Sequence, residues 1–539
     1  MNTFFSVTNQ DLERLSPQTA VDFFRDLLYA EATSLGVGIN LINVPSAIFV
    51  ADGGIDAEVQ EAPVAGGQGI IKKGLTRYQI KTGNFSLRPD SDIKSILFKE
   101  NADELKPRVK SCLEKNGTLV IVLFGWDNPE REDNQVIERF KAILSGIDPR
   151  YKDAKIEIWQ QNKLINFLKP YPSLALRLAG RDSAKFQSHQ SWSRDSEMGK
   201  AFKAGQPQQD FISGIRKELR KNAGAVHLRV IGEPGIGKTR LVLEALGVED
   251  LKPLVLYCDN PGKFRDSDLM NEILREDIKF SVVLVIDECD PDARSYIWDK
   301  VKNLGPRIKL VSIHNEHEAT GGSTLYFDTP QLDNQQVNQI IQDYDIPKDQ
   351  AGRWTDLCSG SPRVAHVIGW NLKNNPEDLL KPPDTVNIWD RYITCGDDPD
   401  SQDVCQRKVV LRYIALFKRF GFERPFFAEA RIIADMVTDA DPQITWPRFQ
   451  EIVRDLKARK ILQGGSTLYI TPKALHIRLW VEWWGSYGRG FPLPDFIQRL
   501  GEPLISWFNE MFKYARECQV ASLIVKELLG ENGIFKDEK

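Results

Sequence analysis

Three short runs in this 539-residue chain carry side chains whose types and spacing suit chemistry. The first is Gly232-Glu233-Pro234-Gly235-Ile236-Gly237-Lys238-Thr239, followed by Arg240. It fits G-x-x-x-x-G-K-[ST], in which glycines let backbone N–H groups wrap phosphate oxygens. Lys238 would place its charge on β- and γ-phosphates, and Thr239 would offer a hydroxyl to Mg²⁺. About fifty residues on, an apolar run ends in Asp287-Glu288. One carboxylate there could help hold Mg²⁺ and the other polarise a water, although an acidic turn at a sheet edge reads the same way. The third run is split: Asp52-Gly53-Gly54-Ile55-Asp56-Ala57, then Tyr78-Gln79-Ile80-Lys81-Thr82. On a strand, side chains repeat every second residue, so Gln79 and Lys81 share a face.

These residues need elements to hold them. Val226–Ile231 is an apolar strand leading into the glycine-rich loop, and Leu241–Leu246 belongs to the helix that leaves it. With the strands expected at 253–257, 281–286 and 308–313 and helices between them, residues 206–330 read as a parallel sheet covered on both faces. Residues 1–180 read as another α/β unit. Its helices are expected at 17–35, 102–115 and 135–145, and its strands at 39–50, 54–60, 76–81, 118–124 and 155–159. Between the two lies a polar stretch, 181–205, read as a linker. Residues 331–392 look like a helical lid. Helices at 406–419 and 444–458 and a hairpin at 461–470 suggest a winged helix within 393–490. Residues 491–539 are a helical segment. The fold class expected is multidomain α/β.

Composition removes several alternatives. Hydrophobic residues at 42% and charged residues at 27% match ordinary globular usage, which excludes disordered and fibrous classes. The net charge of −4, from 71 basic against 75 acidic residues, means that any nucleic-acid binding must rest on local charge. Seven scattered cysteines without a CxxC spacing argue against a disulfide framework or a structural zinc site. No membrane-length apolar run and no leader pattern is seen, so a cytoplasmic location is expected.

The glycine-rich loop, the lid and the winged-helix segment LYITPKALHIRLW together resemble STAND NTPases, a P-loop class related to AAA+ proteins. The resemblance implies ATP as cofactor, with ADP in a resting state, and Mg²⁺. It also implies that Pro362, within Ser359-Gly360-Ser361-Pro362-Arg363, lies against the nucleotide, and that His476 touches a phosphate of ADP. A packed structural histidine is the other reading of His476. The pair His314-Asn315 stands where a polar γ-phosphate sensor would, or is simply loop polarity.

The Asp56 and Gln79-Ile80-Lys81 pattern resembles the PD-(D/E)xK nuclease core in its Mrr-like, restriction-endonuclease-like form. The resemblance implies Mg²⁺ bound by Asp56, Gln79 and the Ile80 carbonyl, with Glu31 as a further acidic ligand from the first helix and Lys81 acting on the scissile phosphate. Gln79 departs from the usual carboxylate and removes one negative ligand. Taken together the units resemble bacterial antiviral STAND proteins, the Avs group. That resemblance implies double-stranded DNA as substrate, self-association into an oligomer such as a tetramer, and activation by a phage protein. Members continue into a long helical sensor, so the expectation is that the sensing part lies beyond Lys539. A STAND transcription regulator and an ATP-driven restriction motor are the alternative readings.

Overall fold

The computed structural model describes residues 5–45, 55–63, 69–99, 104–127, 130–182, 186–195, 198, 200–221, 224–275, 279–315, 325–381, 383, 388–394, 397–424, 426–464, 467–489 and 491–528. Asp52, Gly53 and Gly54, most of the glycine-rich stretch at 65–69, and the hairpin residues Gly465 and Ser466 lie outside them.

The first sheet runs in the order β1 (Ile42–Asn43), β2 (Ala57–Ala62), β3 (Gly74–Lys81), β4 (Thr118–Leu123) and β5 (Lys155–Trp159). Of the strand expected over 39–50, Ile39–Leu41 form a 3₁₀ turn before β1, and residues 46–50 lie outside the described residues. Strands β2 and β3 are antiparallel, with Ala57 opposite Tyr78 and Glu58 opposite Arg77. Strands β3, β4 and β5 are parallel. Helix α1 (Pro17–Leu35) starts at Ser16, whose side chain accepts the Thr19 N–H, and stops at Gly36 in a left-handed conformation, φ 69°. Its Phe24, Leu27 and Leu28 pack with Tyr78 and Ile80. Alternation along β4 sends Leu119, Ile121 and Leu123 into a separate core on the opposite face, with Val109, Phe140 and Ile55, which precedes β2.

The second sheet has the order β11-β7-β10-β9-β8-β6. Its strands are β6 (Gln187–Ser188), β7 (Val226–Ile231), β8 (Val255–Cys258), β9 (Val282–Ile286), β10 (Ile308–Ile313) and β11 (Leu325–Asp328). All pairings are parallel except that of β6 with β8. Strand β10 inserts between β7 and β9, so the segments leaving these three strands meet at one edge.

The stretch 181–205 is more than a linker, which corrects the sequence reading. It supplies β6 to the second sheet and helix α2 (His189–Ser193). Trp192 is buried and stacks on Tyr257 at 4.2 Å between ring centroids. Polar composition hid this because two aromatic side chains, Phe186 and Trp192, carry the anchoring area. The two α/β units also share a core that joins Leu12 and Phe24 to Leu241 and Val283. Across them Thr33 Oγ1 donates to the Asp250 carbonyl at 2.8 Å, and the Ser281 N–H to the Pro170 carbonyl at 2.7 Å.

Helix α3 (Gln206–Leu219) precedes β7, and α4 (Lys238–Leu246) follows the loop. The lid contains α5 (Asn334–Gln342) and α6 (Pro362–Asn374) around Val337, Ile341, Trp354 and Ile368. The C-terminal unit holds α7 (Gln402–Ile414), β12 (Phe420–Gly421), α8 (Phe427–Ala440), α9 (Trp446–Ala458), β13 (Leu462–Gln463), β14 (Thr467–Ile470) and α10 (Lys473–Tyr487). Its small sheet has the order β12-β14-β13. On α10, Trp480, Trp483 and Trp484 pack with Phe508 and Met511 of α11 (Glu502–Met511), and α12 (Gln519–Leu528) adds Ala521 to the same core. No helix among the described residues is long and apolar enough to cross a membrane.

Trp192→Ala should lower unfolding stability by about 3–5 kcal/mol, the usual cost of emptying a buried tryptophan site. Denaturant titration measures it, and a loss below about 1 kcal/mol would return 181–205 to the role of tether.

Candidate functional site

The loop after β7 needs unusual backbone. Gly235 and Gly237 have φ 82° and 98°, and a Cβ on Gly237 would sit 3.4 Å from the Pro362 ring. Lys238, buried at the start of α4, donates from Nζ to the carbonyls of Gly232 at 3.0 Å and Glu233 at 2.8 Å. Burial lowers its pKa to about 8, against the pull of the Glu288 and Asp287 charges. Thr239 Oγ1 donates to Asp287 Oδ2 at 2.7 Å, and Tyr257 Oη to the same oxygen at 3.2 Å. The hydroxyl and carboxylate that would share a magnesium ion are therefore neighbours, and their chemistry fits that ion. Arg240 bonds Glu244 at 2.8 Å and the Lys200 carbonyl at 2.8 Å, and lines the cavity beside the loop.

Glu288 follows β9 in a left-handed conformation, φ 48°, which is strained for a side-chain-bearing residue. Its N–H donates to Asp287 Oδ1 at 2.9 Å. Burial raises the Glu288 carboxyl, and the adjacent Asp287 charge raises it further. Asn315, just past β10, donates from Nδ2 to Glu288 Oε2 at 3.3 Å. His314 is buried instead. Of the sensor pair, then, Asn315 reaches the carboxylate.

The lid closes one wall. Ser361 Oγ donates to the Gly235 carbonyl at 3.0 Å, and the Arg363 N–H to the same carbonyl at 3.4 Å. Pro362 thus lies against the loop. A cavity of about 930 Å³ opens among loop, lid and hairpin, ample for a nucleotide.

The C-terminal unit supplies contacts that motif reading missed. Tyr469 Oη donates to Glu288 Oε1 at 2.7 Å. Lys473 forms an ion pair with Glu233 of the loop. Arg363 donates to the Lys460 carbonyl at 2.6 Å. Both Tyr469 and Lys473 lie within LYITPKALHIRLW, in which the resemblance points only to His476; the further signal for Lys473 is its place just after the hairpin. His476 is elsewhere. It is buried, its Nε2 lies 3.1 Å from the Ala415 carbonyl, and burial lowers its pKa to about 4. The placement in contact with a nucleotide phosphate is corrected: His476 is buried against the Ala415 carbonyl just past α7, while the long Lys473 side chain at the start of α10 reaches out to Glu233.

In the first unit, Asp56 stands just before β2, opposite the end of β3. Its N–H donates to the Tyr78 carbonyl at 2.9 Å, and its Oδ2 accepts the Ile80 N–H at 2.6 Å, extending the ladder with a side chain. Gln79 is buried, with Oε1 lacking a hydrogen-bond partner. Glu58 and Arg77, paired at 2.6 Å, brace the same face one step along. Lys81 Nζ stands 5.4 Å from the Phe85 ring centre. Near the carboxyl ends of β3 and β4 a cavity of about 420 Å³ is lined by residues such as Gly83, Asn84, Trp126 and Asp127.

Glu31 does not join this group. It is buried, accepts a hydrogen bond from Tyr171, and projects from α1 toward the Tyr78 face, whereas Gln79 and Lys81 point to the other. Burial raises its pKa. Among the described residues no group of three or more His, Cys, Asp or Glu side chains could hold a metal ion. A cation beside Asp56 would rely on one carboxylate, the Gln79 amide oxygen and the Ile80 carbonyl.

Fold and loop together define a mixed α/β chain with a P-loop on a parallel sheet. No protein-family model matches the sequence, and no curated protein matches it. Among solved structures, the ORC1 protein of Aeropyrum pernix in complex with DNA matches at 13% identity over 55% of this chain and 97% of its own, TM-score 0.31. The RuvB Holliday junction branch migration motor of Thermotoga maritima matches at 15% identity, 50% and 93% coverage, TM-score 0.28. A STAND protein with a tetratricopeptide repeat sensor from Pyrococcus horikoshii matches at 14% identity, 61% and 51% coverage, TM-score 0.25. At such scores the superpositions carry no functional argument.

His227 and His476 are both buried, with pKa values lowered to about 3 and about 4, so both stay neutral in the folded chain. The unfolded chain protonates below about pH 6.5, so stability present at neutral pH should be lost as pH falls from about 6.5 toward 4. His476→Gln should flatten that fall by up to about 3 kcal/mol in denaturation curves taken across this range. An unaltered slope would mean that His476 titrates alike in the folded and the unfolded chain.

Proposed function

We propose that this chain is an ATP-switched P-loop ATPase of the STAND type whose N-terminal domain is a Mg²⁺-dependent DNA endonuclease. The observation that carries the switch is that one C-terminal unit grips both the phosphate loop, through Lys473 and Glu233, and the acidic turn, through Tyr469 and Glu288. The order of helices and hairpin in that unit supports a winged helix.

A bound Mg²⁺ would neutralise β- and γ-phosphate oxygens beside Thr239 and Asp287. The chain's own residues do the rest. Lys238 holds the phosphates, and Glu288 takes a proton from the attacking water once its oxygens are free. A ligand shifts the population of domain arrangements only if it binds one of them better, and the shared grip makes the site sensitive to that arrangement.

The nuclease reading is supported by Asp56, Gln79 and Lys81 meeting at one end of β2 and β3, and by the orphaned Gln79 oxygen, which suits a cation. Lys81 would neutralise charge building on the phosphate. Double-stranded DNA as substrate, oligomer formation and an antiphage role triggered by a phage protein are proposed on the resemblance to antiviral STAND proteins.

Lys238→Ala should weaken ATP binding at least about tenfold, since it removes a charge-assisted bond to phosphate. Unchanged affinity by equilibrium dialysis would refute the nucleotide site. Asp56→Ala and Lys81→Ala should each abolish Mg²⁺-dependent plasmid cleavage by the ATP-assembled protein, while Gln79→Glu, which restores a hard anionic ligand, should keep or raise it. Plasmid cleavage persisting in both alanine variants would make the constellation scaffold. Sequence-specific DNA binding with no cleavage by the wild type would favour a DNA-binding regulator.

A further inference from the structure

Tyr469 occupies an unusual position in its small sheet. Leu468 and Ile470, its neighbours on β14, enter the C-terminal core, so alternation turns Tyr469 out of that core. An outward tyrosine on a short hairpin is ordinarily exposed. Tyr469 is only 7% exposed, because it ends on Glu288, 181 residues away in sequence.

The contact matters for what Glu288 can do. A carboxylate that activates water needs one oxygen turned to that water. Here Oε1 accepts from Tyr469 Oη at 2.7 Å and Oε2 from Asn315 Nδ2 at 3.3 Å. A hydrogen bond donated to the charged form also favours that form and weakens it as a base. Asn315 and Glu288 belong to the same sheet edge and stay together. Of these two donors Tyr469 is the one that the C-terminal unit brings, the same unit that sets the Arg419 charge near Glu288, and it leaves when that unit leaves.

Resting on the ATPase reading above, we propose that Tyr469 is a positioning residue whose phenol stands where the attacking water must bind, so that the docked hairpin lets the site hold ATP without cleaving it. The Lys473–Glu233 ion pair and the Arg363 bond to the Lys460 carbonyl fasten the hairpin on either side of this contact. Withdrawal of the hairpin returns Oε1 to solvent. The proton then passes from water to Glu288, and the hydroxide oxygen forms its bond to the γ-phosphorus as the bond to the β–γ bridging oxygen breaks, giving ADP and phosphate.

The test is steady-state ATP turnover by the full chain in Mg²⁺, with ATP binding measured in parallel by equilibrium dialysis. Tyr469→Phe keeps the ring and removes the hydroxyl. It should raise kcat about tenfold, the factor that one charge-assisted hydrogen bond controls, with KM unchanged within about twofold. Lys473→Ala loosens the same hairpin without touching Glu288 and should raise kcat severalfold. Adding Glu288→Gln to Tyr469→Phe should abolish the gain, which places it at this site. A kcat for Tyr469→Phe equal to or below that of wild type, with ATP binding intact, overturns the proposal and makes the tyrosine a structural contact or a productive orienter of Glu288. Absence of ATP binding in the wild type overturns the ATPase reading, and this inference with it.

Discussion

Parallel strands deliver the segments that follow them to one common edge, and the site depends on that constraint. Strand β10 pairs with β7 on one side and β9 on the other, so the phosphate loop, the Asp287-Glu288 turn and Asn315 leave the sheet side by side. Nothing in the spacing along the chain requires Asn315 to meet Glu288, or Thr239 to meet Asp287. The ladder does, because its hydrogen bonds set the register and burial on both faces forbids slippage. Once the edge is assembled, the remaining question is what covers it.

Two separate parts of the chain cover it. The lid packs Ser361, Pro362 and Arg363 against the glycine-rich loop, and the C-terminal hairpin brings Tyr469 and Lys473 to the carboxylate and the loop. Exposed ion pairs such as Lys473–Glu233 contribute little singly. The Tyr469–Glu288 bond is sheltered, and its donor and acceptor belong to different units. The tryptophan-rich face of α10 packs the same unit against the helices that follow, α11 and α12.

The first α/β unit follows a different logic. Its sheet changes from antiparallel to parallel at β3, and Asp56 extends the β2–β3 ladder with a carboxylate in place of a backbone carbonyl. This fixes Asp56 and the Ile80 backbone relative to each other without any metal. Glu31 answers to another demand. Helix α1 must bury its face on the core it shares with the second unit, and a carboxylate on that face is tolerated because Tyr171 donates to it.

Local chemistry was legible in the sequence wherever it is contiguous. The Gly232–Thr239 loop needs only glycine freedom and a following helix, and the strand before Asp287 needs only an apolar run, so both could be read without knowing the fold. The shared face of Gln79 and Lys81 followed from strand alternation alone. Tertiary structure decided the rest. It turned His476 inward and Lys473 toward the loop, put Glu31 on the far face of its sheet, and made a polar stretch into the anchor for Trp192. It also joined Tyr469 to Glu288 across 181 positions. Periodicity along one element says which residues share a face. What that face meets is set by the packing of whole cores, and no single stretch of sequence contains that packing.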